Sequence, residues 1–206
     1  MTTELTAEAI AAPAPRRIDQ EQVASLYRQL LTALGENPDR DGLKDTPRRV
    51  ARWWAEFLEH DPGRTDTTFL HETLHAGGDE LVIVSGIVVH SLCEHHLQNM
   101  ELTVTAGYRP RGRVLGLSKI ARIARAHGHR LQLQERLMNG IAEDLLKVSG
   151  SPDVAVAVTG SHACMSARGV RAVGAMTTTI SVHGDFAPGG TLADLFLDLA
   201  AKGATR

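Results

Sequence analysis

The sequence predicts an α+β fold: an antiparallel sheet with helices on one face, preceded by a pair of helices. Three observations predict it. Apolar residues recur at helical spacing in two stretches before residue 60. After residue 79 the patterns run β-β-α-α-β-β, with glycine- and proline-bearing turns between them. The 206-residue chain is 43% hydrophobic and 22% charged, enough to bury one substantial core.

Residues 1–18 are rich in alanine, proline and threonine, and Glu4 and Glu8 interrupt any apolar run. They read as a disordered leader, not a signal peptide. No stretch reaches the ~18 apolar residues of a membrane span, so a cytoplasmic protein with no membrane partner is expected. The helical pair covers 19–60. Asp19 and Gln22 resemble a capping box, and Val23, Leu26, Tyr27, Leu30 and Leu34 follow helical spacing up to Gly35. Tyr27 is expected at the edge of that stripe with its hydroxyl toward water. Thr46 is the expected N-cap of the second helix, with Pro47 at its first position. Val50, Trp53, Trp54, Phe57 and Leu58 fall on one face of it, the tryptophans as packing or interface residues. Residues 61–79 read as a loop region.

The sheet domain is expected over 80–187. Its first strand runs from Glu80 to His90, with Gly86 marking a bulge. Met100 to Tyr108 alternates as the second strand, and Arg109 to Gly112 forms a turn. Leu115 to Lys119 opens a helix that continues to about His127, with Ile120, Ile123 and Ala124 inward. Leu131 to Val148 reads as a longer helix with Leu133, Leu137, Ile141 and Leu145 on its stripe and Gly150 past its end. Asp153 to Gly160 and Gly169 to Val182 complete the strands, the second strongly β-prone from Thr177. A tail over 188–206 holds a short helix from Thr191 to Ala201.

A net charge of −2 and the lack of a basic tail exclude a general nucleic-acid binder. The chain's two cysteines each lie close to histidine, in Ser91-Leu92-Cys93-Glu94-His95-His96 and in His162-Ala163-Cys164. Cys93 and His96 stand at C-x-x-H spacing, so one turn can bring both to a metal ion. Two thiolates and an imidazole suit zinc and leave a fourth position for water, the pattern of catalytic sites. The alternatives are a disulfide or two buried thiols. His95 and His162 remain for proton transfer, and Glu94 reads as an orienting residue, not a fourth ligand. Ser118, Lys119 and Arg122 begin a predicted helix, where free N–H groups suit phosphate; a solvated basic face is the alternative. Arg168 adds positive charge four residues after Cys164. Glu135 can accept two donors from a guanine edge, and Gln134 can donate and accept; a polar helix face is the alternative.

Five segments taken together resemble the GTP cyclohydrolase I family over residues 20–187: Asp41-Gly42-Leu43-Lys44-Asp45-Thr46-Pro47-Arg48-Arg49-Val50, the Ser91–His96 segment, Gly116-Leu117-Ser118-Lys119-Ile120-Ala121-Arg122, Arg130-Leu131-Gln132-Leu133-Gln134-Glu135-Arg136-Leu137, and His162-Ala163-Cys164-Met165-Ser166-Ala167-Arg168-Gly169. The resemblance implies a tunnelling fold and a toroidal homodecamer with sites between subunits. It implies conversion of GTP and water to 7,8-dihydroneopterin triphosphate and formate, the entry step to folate and related pterins. Cys93, His96 and Cys164 match the family's zinc ligands, one Zn2+ per subunit. The implied chemistry is attack of a metal-activated water at the purine C8, with His162 protonating the imidazole nitrogen and His95 acting near the ribose. Ser118 matches a residue of the later rearrangement and reclosure. Gln134 and Glu135 match guanine recognition, and Lys119, Arg122 and Arg168 match triphosphate contacts.

The chain departs from the family pattern at Leu97-Gln98-Asn99-Met100-Glu101-Leu102-Thr103, where many members have a proline–phenylalanine or glycine–lysine turn, and at His127-Gly128-His129. Gly128 is expected to weaken its helix end. These departures leave room for a pathway-specific paralogue in deazapurine metabolism. Two other readings use the same fold: a nitrile reductase with a cysteine nucleophile, against which the paired histidines and second cysteine argue, and a zinc-stabilised protein that binds nucleotide without turnover. No N-terminal extension resembles a docking domain for a regulatory protein.

Overall fold

The computed structural model describes residues 17–70, 80–190 and 192–204. Most of the expected leader, residues 71–79 of the expected loop and Thr191 lie outside the described residues. The backbone divides into two compact units, with the boundary between Asp61 and Pro62.

The first unit is the helical pair, α1 (Gln20–Ala33) and α2 (Thr46–Leu58). The Asp19 carboxylate accepts from the Gln22 backbone N–H at 2.9 Å and starts α1 as expected. The α2 cap differs by one residue: Asp45 is the N-cap, without a side-chain bond, and Thr46 is already helical. The buried face of α2 is Pro47, Ala51, Ala55 and Phe57, while Trp53 stacks on Phe57 and stays 42% exposed. The Tyr27 hydroxyl does not point to water. It accepts from Trp54 Nε1 at 2.8 Å and joins the two helices.

In the second unit, β2 (Val82–Cys93) and β3 (Asn99–Tyr108) form a long antiparallel hairpin. Its register shifts between Val84 and Ile87, and Gly86 has φ +73°, so the bulge falls where the glycine marked it. Next to β3 lie β6 (Val154–His162) and then β7 (Thr177–Val182), both antiparallel. A two-residue strand β5 (Leu131–Gln132) pairs in parallel with the end of β2, giving the order β5-β2-β3-β6-β7. On one face lie α3 (Leu117–Gly128) and α4 (Gln134–Ser149), with Ile120, Ile123, Leu137, Ile141 and Leu145 buried against Val89, Leu102, Val104, Val156 and Val158. Each such side chain contributes roughly 1.5–3 kcal/mol by leaving water. The β2–β3 hairpin, the two helices on one face and then β6 and β7 give the β-β-α-α-β-β order expected of a tunnelling-fold unit.

Four expectations need correction. Residues 131–133 are not helical: the helix begins at Gln134 because Leu131 and Gln132 are drawn into β5 by Leu92 and Cys93. The last strand starts at Thr177, not Gly169, and residues 169–176 form turns. The tail helix α6 (Ala193–Ala204) covers the second face of the sheet, where Phe186, Leu192 and Phe196 enclose Ala155 and Ala157. The expected loop contains a short strand, β1 (Thr68–Leu70), paired with β4 (Arg113–Leu115) just after the expected turn, so the next helix opens at Leu117 and not at Leu115. Gly128 also has a purpose that its helix propensity hides: a Cβ there would run into Val89 Cγ1, so only glycine lets α3 approach β2 this closely.

Candidate metal and acid–base site

The ends of β2 and β6 lie on either side of β3 and deliver the chemistry-bearing residues. Cys93 is the last residue of β2, and a tight turn follows it. The Leu97 N–H donates to the Cys93 carbonyl, and the Cys93 N–H donates to the Gln98 carbonyl, both at 2.9 Å. Leu97 has φ +52°, an uncommon conformation for a residue with a Cβ, and closes this turn. The loop is tied down twice. The Glu94 N–H donates to the Gln132 carbonyl at 3.1 Å, and the Glu94 carboxylate takes both ends of the Arg136 guanidinium at 2.7 and 3.2 Å. The Arg136 hydrogen bond holds the Glu94 carboxyl below its ordinary range. Glu94 therefore anchors the loop to α4.

Cys164 lies on a single helical turn, α5 (Ala163–Ser166), directly after β6. The ligand atoms of Cys93, His96 and Cys164 all lie within 4.8 Å of one another, with Cys93 Sγ 3.9 Å from His96 Nδ1. Cys93 is buried, Cys164 half-buried and His96 exposed. Burial, and then the neighbouring Cys93 sulfur, push the Cys164 thiol up. Coordination of a divalent cation by these residues would reverse that balance, because it favours the thiolate outright. Two sulfurs and one imidazole nitrogen fit a borderline-soft metal, with one side open to solvent. These three residues can hold a metal ion. Arg168 Nη1 lies 2.9 Å from His96 Nε2 and brings a positive charge to the rim.

His162 ends β6, two residues before Cys164. Its Nε2 meets Gln134 Oε1 at 2.7 Å. Burial lowers its pKa, and the Glu135 charge only partly offsets this. Gln134 was expected on a guanine-binding face. Instead its side chain is 2% exposed and spans from α4 to the carbonyls of Val158 and Thr177 at 2.9 and 3.1 Å. Its role as the partner of His162 is the one the sequence hid, since a glutamine at a helix start resembles any surface residue. His95 is exposed, its ring perpendicular to that of His96 at 6.2 Å. Glu135 is exposed on the first turn of α4.

Ser118, Lys119 and Arg122 occupy the first turns of α3 and make no hydrogen bond to the sulfur cluster among the described residues. Ser118 and Arg122 are exposed and Lys119 half-buried. Arg122 Nη1 donates to the Pro62 carbonyl at 3.0 Å.

The strand ends of this sheet thus bring together a Cys-His-Cys cluster able to hold a metal ion and a half-buried histidine able to move a proton, the parts of a metal-assisted hydrolytic site. A sequence model of the family described as GTP cyclohydrolase I matches residues 23–201. GTP cyclohydrolase 1 of Ruminiclostridium cellulolyticum is 45% identical over 178 residues, covering 82% of this chain and 91% of that protein. GTP cyclohydrolase 1 of Hyperthermus butylicus is 44% identical over 169 residues, covering 82% and 84%. Among solved structures, the archaeosine synthase QueF-Like in its apo form matches with a TM-score of 0.44 and 20% identity, over 52% of this chain and 96% of that one. The chain belongs to the GTP cyclohydrolase I family.

Proposed function

We propose that this chain hydrolyses GTP at the purine C8, releases that carbon as formate, and rearranges and recloses the remainder to 7,8-dihydroneopterin triphosphate. The observation that carries the reading is the convergence of Cys93, His96 and Cys164 within 4.8 Å beside His162. The metal is zinc, the ion this donor set suits best, held by those three residues. When bound, zinc supplies activation of water and polarisation of a carbon–nitrogen bond near neutral pH.

The chain's own residues do the rest. His162, its pKa lowered by burial, exchanges a proton with the imidazole ring as that ring opens. His95, exposed beside the cluster, serves the ribose end, and Ser118 serves the later rearrangement. The Glu135 carboxylate accepts two N–H groups from the guanine edge. Lys119, Arg122 and Arg168 hold the triphosphate as charges, helped by the free N–H groups at the start of α3. The working form is a homo-oligomer, a toroidal decamer with sites between subunits. This is supported by the exposed Leu26 and Leu30 on α1 and Leu34 just past its end, and by Val170, Val173, Met176 and Ile180 along and before the edge strand β7. The free Cys93 and Cys164 suit a reducing, cytoplasmic compartment.

Mass spectrometry of the products of GTP and zinc-loaded protein tests the reading. Dihydroneopterin triphosphate with formate is the expected result. A ring-opened formamide that accumulates would locate a defect in the later steps, at the altered turn after His96. Unchanged GTP with zinc bound would overturn the proposal in favour of a nucleotide-binding protein or a paralogue with another substrate.

A further inference from the structure

Gln134 is almost fully buried, and every polar atom of its amide has a partner. Its Nε2 lies 2.9 Å from the Val158 carbonyl, 3.1 Å from the Thr177 carbonyl and 3.3 Å from Thr179 Oγ1. Its Oε1 lies 2.7 Å from His162 Nε2. Backbone carbonyls only accept, so the two nearest neighbours fix which end of the amide is nitrogen. Turning the amide over would set its oxygen against two carbonyl oxygens, acceptor against acceptor, in a buried place. The Oε1 facing His162 is therefore an acceptor, and the His162 Nε2 beside it must carry a hydrogen.

We infer that Gln134 fixes neutral His162 as the Nε2–H tautomer, which leaves Nδ1 as the one atom through which this histidine exchanges a proton with the substrate. Among the described residues Nδ1 has no hydrogen-bond partner and is not fully buried. The brace is rigid for a reason visible in the sheet. Val158 pairs with Thr179, and Gly160 with Thr177, so one glutamine clamps β6 and β7 together just before β6 delivers His162. Gln134 is thus a positioning residue: it acts through His162 and does not touch substrate. This assignment rests on the proposed acid–base role of His162, but the position of the hydrogen can be observed without turnover.

The test is a neutron crystal structure of the zinc-loaded protein, grown in deuterated buffer at about pH 8.5, where an imidazole is neutral. Deuterium on Nε2 of His162 with a bare Nδ1 is the expected result. Deuterium on Nδ1 alone, or on both nitrogens, overturns the inference whatever the protein does with GTP. Gln134→Met supplies the functional arm, since it keeps the length and removes the acceptor. It is expected to lower kcat on the order of 100-fold, with KM changed less than about threefold and zinc content unchanged. A folded, zinc-replete Gln134→Met with undiminished kcat contradicts the positioning role. If this variant does not fold, the neutron result decides alone. If the wild type turns over no GTP yet shows Nε2–H, the reaction assignment fails and the tautomer assignment stands.

Discussion

The two ends of the proposed site are built on opposite principles. At the ends of β2 and β6 the side chains are held: Glu94 by Arg136, His162 by Gln134, and Cys93 by a turn closed with backbone bonds. At the start of α3, the side chains of Ser118 and Lys119 make no such contacts among the described residues, and Arg122 makes one, to a backbone carbonyl. Bond-making groups need placement within fractions of an ångström, and fixed hydrogen-bond partners secure it. Groups that attract a triphosphate need charge and reach, and long solvated side chains supply both.

That contrast predicts a graded set of losses. Cys164→Ala removes one of three metal donors and should abolish both zinc retention and turnover, read by metal analysis and product release; full activity with normal zinc would show that the cluster is not the metal site. His162→Asn should keep zinc and lose roughly 10²–10⁴-fold in kcat, the usual worth of a positioned acid–base group. Lys119→Ala should instead raise KM for GTP by about tenfold, with kcat nearly unchanged and the effect fading in high salt. A kcat loss as large as that of His162→Asn would erase the distinction between the two ends.

A smaller effect tests the frame at the opposite end of β6. Burial alone would raise the Asp153 carboxyl. The Asp185 N–H and the Arg111 and Arg109 guanidiniums more than offset this and hold it below its ordinary range. A carboxyl depressed in the folded state contributes stability that is present above its unfolded value, about 3.9, and is lost as pH falls through the folded value. Asp153→Asn should therefore cost about 1–3 kcal/mol at neutral pH and flatten the acid limb of the unfolding curve below about pH 4. An unchanged acid limb would assign that stability elsewhere.

Strands β2, β3 and β6, the paired helices and the pairing of each cysteine with histidine were clear in the sequence, because each rests on local pattern or on rare residue types. The helical spacing of Ile120 and Ile123, and of Leu137, Ile141 and Leu145, survives in any context, and two cysteines beside histidines stand out. What was hidden depends on distant partners. Leu131 and Gln132 look helical until Leu92 and Cys93 capture them as a strand. Tyr27 looks like a wetted edge until Trp54, 27 residues away, donates to it. Gln134 looks like a ligand-facing residue until two carbonyls on separate strands claim its nitrogen. Gly128 looks like a weak helix end until Val89 is seen beneath it.

The most direct measurement is the fate of the purine C8. GTP labelled with carbon-13 at C8 is given to zinc-loaded protein and to the same protein stripped by a chelator, and the carbon signal is followed by NMR. The label is expected to leave as formate with the loaded protein only, and the activity to return on adding zinc. Label that stays in the purine ring with zinc bound at Cys93, His96 and Cys164 would contradict the assignment of that site to purine hydrolysis.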